Sequence, residues 1–433
     1  MVYHPDIESI TPDIYSRDQH TISRKDIDPD ALKVMYRLIR HGYKAFLVGG
    51  GVRDLLLNKK PKDFDIGTDA TPRKIKSLFR NCRIIGRRFK LCHIYFKNNK
   101  IIEVSTFRDF TDPSEVLQSD KKKVIPDNRF GNEKTDALRR DITINGLFYD
   151  LSTFSIIDYV GGMKDLREGI IRVIGDPLER FKEDTVRMLR VVRHAVRSNS
   201  VIEENCYQTI LKHNSLITEA SQVRVYEEIK KDLCSGFSLG ILKLLGETGL
   251  LQHLIPELED GSPAMLSEEH DFYDCLAVLD QKVRSGEAIN ATTSLTLIAL
   301  FTGRVINKQA LVNRFATPEY TARHVKKCFK KLAVPRKERE RIETIINLWR
   351  QVQFSGPESI NVKTLSRRQY LEELLNLIAC IRLDQHTDEL IELVEQAIGV
   401  RTKRLKRQQN KSKSKAVRKP SNKKSSKPKR KGT

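Results

Sequence analysis

Apolar and polar residues alternate along this chain in two regimes. Between residues 28 and about 107 the period changes every few residues, and short elements are predicted. Asp28–Gly42 reads as a helix with Leu32, Met35, Leu38 and Ile39 on one face and Gly42 as its stop. Ala45–Val48 is a continuous apolar run and predicts a buried strand. Val52–Leu57 predicts a helix whose start faces glycines, and Asp63–Gly67 the next strand. Thr71-Pro72 opens a further helix, with Thr71 as N-cap and Pro72 in the first helical position. Arg83–Phe96 and Ile101–Phe107 read as strands parted by a turn at Asn98-Asn99. Asp109–Asn132 contains Pro113, Pro126 and the cluster Lys121–Lys123 with little periodicity, a pattern expected of a long functional loop. From Asp176 onward apolar residues recur at spacings of three and four, which predicts a helical body. The first 26 residues show no clear period and are expected to form a loosely ordered lead-in.

Composition narrows this picture. At 433 residues the chain can hold two or three domains with sizeable cores. No apolar run approaches the ~18 residues of a membrane span, and Met-Val-Tyr-His-Pro-Asp at the start argues against a secretory signal. The seven cysteines are scattered and never in C-x-x-C spacing, which points to structural thiols in a reducing compartment and away from zinc. The net charge is +22, but residues 401–433 hold sixteen Lys and Arg and no acid, so the other 400 residues carry only +6. Rich in Lys, Ser and Pro, that tail is expected to be disordered. It suits sequence-independent contact with nucleic-acid phosphates; a solubilising tail or a contact with anionic lipid reads the same.

The candidate chemistry lies in the first 230 residues. Asp63-Phe64-Asp65 follows the glycine-rich turn of Phe46-Leu-Val-Gly-Gly-Gly-Val-Arg-Asp54. Carboxylates two apart on a strand project from one face, and a glycine turn offers backbone N–H groups to phosphates. Together they suggest a divalent metal held against a nucleoside triphosphate. Two Mg²⁺ ions would neutralise the triphosphate and activate a hydroxyl. Glu103, on the apolar strand of Ile101–Arg108, is the natural third carboxylate; a Glu103–Arg108 surface pair is the plainer alternative. Gly49 and Gly50 would admit the phosphates and Arg53 would add a charge-assisted bond, although a tight turn needs glycines too. Arg140-Asp141, with Thr143 and Asn145, would recognise a ribose hydroxyl and a phosphate, or form a polar turn. Asp184 and Arg187 are three apart at a predicted helix start, so they would share a face and match the donor and acceptor of adenine's pairing edge. An i, i+3 salt bridge explains the same spacing.

Taken in order, LVGGGVRDLLL, DFDIGT, EVSTFR, RRDITINGLFYD, DYVGGMKDLREGIIRVIGDP, RFKEDTVRMLRVVR and LLGETGLLQHLIPEL resemble the class II nucleotidyltransferases that extend RNA 3′ ends, over Tyr43 to Leu258. That family comprises bacterial poly(A) polymerases and tRNA CCA-adding enzymes. The resemblance implies an α+β protein: an N-terminal polymerase-β-like nucleotidyltransferase head, an all-helical body and a disordered basic tail. The boundaries expected are a lead-in 1–26, a head 27–160, a helical nucleotide- and RNA-binding neck 161–258, an RNA-binding body 259–400 and the tail 401–433.

The resemblance also implies roles. Asp63, Asp65 and Glu103 would be the catalytic, metal-holding carboxylates. Gly49, Gly50, Arg53 and Asp54 would form the triphosphate motif. Arg140, Asp141 and Asn145 would hold the ribose, and Asp184 and Arg187 would read the base. Arg190 belongs to the same motif, Arg224 and Glu228 would brace the pocket, and the 109–132 loop would govern nucleotide choice. Ile85-Gly-Arg-Arg-Phe-Lys-Leu-Cys-His93 resembles the G-R-R-F-x-L-x-H signature of bacterial poly(A) polymerases. The basic tail also suits the poly(A) branch. Gly51, a third glycine in the turn, and Gly146, where alanine is common, depart from the pattern without removing a ligand. The activity implied is template-independent transfer of AMP from ATP to RNA 3′ ends (mRNA, other transcripts and tRNA), with two Mg²⁺. A bacterial cytoplasmic location, and RNA-decay proteins as partners, follow from the same resemblance. The alternatives are CCA addition to tRNA and a catalytically silent RNA-binding protein.

Overall fold

A computed structural model describes residues 9–86, 90–109, 130–259, 272–302, 315, 317–382 and 386–417. Residues 87–89 of the Gly86–His93 block, most of the 109–132 loop, the first eight residues of the lead-in and the 418–433 end of the tail lie outside the described residues. The chain divides into two compact units: residues 1–232 with 239–256, and residues 233–238 with 257–433.

The first unit is built on a sheet of eight strands: β1 (Asp13–Tyr15), β2 (Ala45–Val48), β3 (Asp65–Thr68), β4 (Cys82–Ile85), β5 (Leu91–Tyr95), β6 (Ile101–Thr106), β7 (Leu147–Asp150) and β8 (Ser155–Asp158). Their order is β1-β8-β7-β2-β3-β6-β5-β4. Only β3 and β6 run parallel within it. As the apolar run implies, β2 is buried on both faces. Ala45 and Leu47 join the larger core, while Phe46 and Val48 pack with Phe107 and Phe148 on the other side.

Helix α1 (Pro29–Arg40) matches its predicted span. The Asp28 carboxylate accepts from the backbone N–H of Asp30 at 2.8 Å, and Gly42 takes a positive φ just past the end. Its buried face is Ala31, Val34, Met35 and Leu38, with Leu32 and Ile39 at the edges. Val34, Met35 and Leu38 each contribute about 1.5–3 kcal/mol by their burial. Helix α2 (Gly50–Leu56) follows β2, and α3 (Pro72–Leu78) starts at Pro72 as predicted.

Two expectations change. Part of the lead-in is ordered: β1 pairs with β8, Ile14 opposite Ile157. Three residues are too few to show a period, and Ile14 points outward. The single strand expected over 83–96 is a hairpin of β4 and β5, because the Gly86 region turns the chain back.

Beyond β8 the regular elements of the described residues are helices apart from a two-stranded pair. The helices used below are α4 (Glu133–Leu138), α5 (Pro177–Glu183), α6 (Arg187–Ser198) and α7 (Gln222–Leu233), followed by α8 (Arg336–Ser355), α9 (Val362–Leu365), α10 (Leu371–Ile381) and α11 (Thr387–Val417). Helix α11 carries the basic segment on as helix to Val417, so the boundary expected at 400/401 falls inside it. Among the described residues no helix is long and apolar enough to cross a membrane.

Candidate active site

The turn between β2 and α2 is shaped by close approaches. Gly49 has φ +70, which L residues rarely adopt. A Cβ there would lie 3.2 Å from Arg140 Nη1. A Cβ at Gly51 would lie 3.3 Å from the Asp63 carbonyl oxygen, so the extra glycine lets the turn press against the approach to β3. Val48 and Asp65 are paired in the β2–β3 register. The turn, Asp63–Asp65 and Arg140 are therefore neighbours.

Across the parallel β3–β6 pair, Asp65 stands opposite Glu103. Facing residues of neighbouring strands share a side of the sheet. Burial, and then the charges of Glu103 and Asp63, push the Asp65 carboxyl up to about 6, with Arg140 opposing. The three predicted acids thus share one field, although Asp63 precedes the strand itself. Glu103 Oε2 lies 3.3 Å from His93 Nε2, its partner across β5–β6. Among the described residues no three His, Cys, Asp or Glu side chains converge to hold a metal ion as they stand. The donor set of Asp63 and Asp65 still fits Mg²⁺, which takes oxygen ligands from one or two carboxylates and fills its shell with water and phosphate. The like-charge crowding at Asp65 is what a divalent cation would relieve.

The expected arginine–acid pairs are re-partnered. Arg140 and Asp141 do not act on one another: Arg140 bonds Asp136 (2.9 Å) and the Asn145 carbonyl (3.1 Å) and lies over the Phe148 ring. Asp141 instead accepts from Arg187 Nε (3.1 Å) and Arg190 Nη1 (2.5 Å). Burial alone would raise its carboxyl; the guanidinia of Arg190 and Arg187 hold it below the usual range.

Nor do Asp184 and Arg187 share a helical face. Asp184 is the extended C-cap of α5, and α6 begins at Arg187. Arg187 also donates to Glu183 (2.7 Å), while Asp184 Oδ2 accepts from Arg224 (2.7 Å). The other oxygen of Asp184, Oδ1, is buried without a hydrogen-bond partner in the structure. Such an acceptor costs about 1–3 kcal/mol until something donates to it.

Arg53 is buried and engaged. It bonds Asp54 (2.7 Å) and Asn145 Oδ1 (2.7 Å), and its Nη1 lies 3.2 Å from His194 Nδ1. In this arrangement it braces the turn and is not presented to a phosphate.

The sequence reading overlooked three groups. Asp136, almost fully buried, receives both Arg139 and Arg140. Arg193 extends the Arg187, Arg190 spacing by another three residues and bonds Glu228 and Asp232; that repeat was the available signal. Burial opposes ionisation of Glu228, but Arg193 and Arg190 hold its carboxyl down at about 2. His194 accepts from Arg53, because a guanidinium can only donate. Burial, then the charges of Arg53, Arg193, Arg197 and Arg190, keeps its pKa well below 6.5. Nothing in the local sequence announces that cluster.

Residues 45–172 match the family model "Poly A polymerase head domain", and residues 201–261 match "Probable RNA and SrmB- binding site of polymerase A". A poly(A) polymerase I of Salmonella typhi is 45% identical over 287 residues, covering 64% of this chain and 61% of that protein. A CCA-adding enzyme of Bacillus licheniformis is 34% identical over 231 residues, covering 53% of this chain and 56% of its own. The chain therefore spans about three fifths or less of the length of these relatives. In fold it is similar to the Bacillus stearothermophilus CCA-adding enzyme solved with CTP, with a TM-score of 0.60 at 24% identity, covering 86% of this chain and 83% of that one. Over this head domain and the RNA-binding segment behind it, the chain is similar to poly(A) polymerases and CCA-adding enzymes.

Proposed function

We propose that this chain is a template-independent nucleotidyltransferase that adds AMP from ATP to RNA 3′ ends. The observation that carries the reading is Asp65, crowded by Glu103 and Asp63 beside a glycine turn. In the reaction the RNA 3′-oxygen bonds to the α-phosphorus of ATP and the bond to pyrophosphate breaks. Mg²⁺, two ions in this proposal, supplies charge neutralisation at the phosphates and a lowered pKa for the attacking hydroxyl. Asp63 and Asp65 would hold it, with Glu103, which lies beside His93, as the third carboxylate. Gly49 and Gly50 leave room for the phosphates, and Arg140 balances charge at the edge of the carboxylate cluster.

Base choice is assigned to Asp184. Its unsatisfied Oδ1 would accept from the exocyclic amine of adenine, and Arg224 fixes the other oxygen. Arg187 and Arg190 bond Asp141 and the Arg187 backbone N–H donates to the Asp184 carbonyl, so Arg224 takes the place beside the Asp184 carboxylate that spacing gave to Arg187. Asp54 and Asn145 act through Arg53, on the turn. The substrates proposed are mRNA and other transcripts, tRNA included.

The relatives named poly(A) polymerase I favour the polyadenylating branch, as does the Gly86–His93 block. The second reading is CCA addition, which the Bacillus licheniformis relative favours. Labelled ATP and, separately, CTP are supplied with Mg²⁺ to an unstructured RNA and to a tRNA lacking its terminal CCA. A long ladder with ATP on both RNAs and little CTP use is expected. Addition of C, C and A to the tRNA alone would replace polyadenylation with the second reading.

A further inference from the structure

A row of side chains crosses the sheet at the carboxylate edge. The strand registers place Arg83 of β4 opposite His93 of β5, His93 opposite Glu103 of β6, and Glu103 opposite Asp65 of β3. Facing residues of neighbouring strands share a side of the sheet. The residues next to them turn the other way: Cys92, Ile94, Ile102, Val104 and Ile66 are buried in the larger core. The row therefore lies on the face away from that core. It runs from a cation through an imidazole to two acids.

His93 is the member of this row to which the proposed reaction gives no task. Its Nε2 lies 3.3 Å from Glu103 Oε2, within reach of a hydrogen bond after a small rotation of the ring. The ring has neighbours of its own. The Tyr95 ring, two residues on and on the same face, is centred 6.4 Å away, and the Arg83 guanidinium lies 5.3 Å over Tyr95. The His93 side chain is 23% exposed and that of Glu103 39%, so neither is there to fill a core. A pair so exposed adds little to stability. What it changes is the freedom of Glu103.

We propose that His93 is a positioning residue for the metal site: its Nε2–H donates to Glu103 Oε2, fixes that carboxylate beside Asp65 and leaves the other oxygen for Mg²⁺. The proposal rests on the reading of Glu103 as the third carboxylate and adds the group that sets it. Glutamate has one more rotatable bond than aspartate, and an unrestrained one loses rotamer entropy when it closes on a cation. Carboxylates that ligate metals are held in turn by hydrogen bonds from outside the shell, and losing such a partner costs about 10–100-fold in metal affinity. A histidine that instead held Glu103 back from the metal would weaken binding, so the sign of the effect separates the two roles.

The test uses the full chain with His93→Leu, which removes the donor, and His93→Gln, whose amide N–H can take the place of Nε2–H. Each is made in the parent and in a Glu103→Gln background. The Mg²⁺ concentration giving half of the thermal shift is read with a non-hydrolysable ATP analogue, beside melting without metal. His93→Leu should raise that concentration about tenfold or more, and His93→Gln should recover most of the loss. Glu103→Gln alone should raise it as well, and adding His93→Leu to it should change nothing further, because the histidine acts through that carboxylate. Melting without metal should stay level throughout. An unchanged or lower Mg²⁺ midpoint in His93→Leu, or the same loss repeated in the Glu103→Gln background, would overturn the proposal. If His93→Leu melts lower without metal, the Glu103→Gln background still decides. A Glu103→Gln variant with the parent's midpoint would remove Glu103 from the metal site. A parent chain that incorporates no AMP would sink the polymerase reading, while the Mg²⁺ shifts would still decide the role of His93.

Discussion

The carboxylate edge of the sheet and the arginine face of α6 handle charge in opposite ways. At the edge, Asp63, Asp65 and Glu103 crowd like charges, and Asp65 is driven up to about 6. On α6, Arg187, Arg190 and Arg193 each meet two acids, and their partners Asp141 and Glu228 are held below the usual carboxylate range. The first region is electrostatically incomplete; the second is closed by cross-pairing except at Asp232, which burial and then the charge of Glu228 raise to about 6 against the pull of Arg193. Uncompensated charge has stability to gain from a ligand; compensated charge builds the wall against which a ligand is placed. Arg53, Asp141 and Arg187 are engaged by protein partners and Asp184 keeps one oxygen unsatisfied; in the proposed function the first three are scaffold and Asp184 faces the ligand.

Breaking the closed region should have the largest effect. Glu228→Ala leaves Arg190 and Arg193 without their shared partner. A buried pair broken from one side costs about 3–5 kcal/mol, and urea unfolding should show it. A loss under 1 kcal/mol would mean that the arginine face is not structural.

The incomplete region should respond the other way. Asp65→Asn should cut AMP incorporation by about 10²–10³-fold, the scale of losing one preorganised electrostatic group. Its thermal stability without metal should stay level or rise, since a like charge is removed. A variant that loses both activity and stability would erase the contrast between the two regions.

A smaller effect is expected at the junction of the two. Asp184→Asn keeps a group of the same shape but alters the acceptor, and should cost about 1–3 kcal/mol in selectivity for ATP over CTP. Unchanged discrimination would remove Asp184 from base reading.

The smallest effect is in pH dependence. His194 has a folded pKa well below 6.5, so the unfolded chain binds the extra proton and stability falls as pH drops below 6.5. Its slope is at most about 1.4 kcal/mol per pH unit. His194→Gln should flatten the curve between pH 6.5 and 4.5. Glu228 acts lower: its contribution is full above 4.5 and is lost as pH falls toward about 2. A His194→Gln melting curve with the parent's slope above pH 4.5 would refute the placement of that histidine.

What the sequence made legible was local. A continuous apolar run gave β2, a 3–4 spacing gave α1, and Asp63-Phe64-Asp65 after a glycine turn located the carboxylate edge. Charge pairing was not legible, because it depends on where the chain bends. Spacing put Asp184 and Arg187 on one face, but α5 ends between them and sends Asp184 to Arg224. Adjacency suggested that Arg140 and Asp141 act together, yet α4 supplies Asp136 to one and α6 claims the other. His194 was invisible for the same reason: its neighbours come from α2, the Asn145 turn and α6, far apart in sequence.

The most direct test of the central claim is Mg²⁺ binding in the presence of a non-hydrolysable ATP analogue, read as a thermal shift for the parent and for Asp65→Asn. The parent should gain stability as Mg²⁺ is added and the variant should not. Equal gains in the two would contradict the claim that the crowded carboxylates are where the metal and the triphosphate meet.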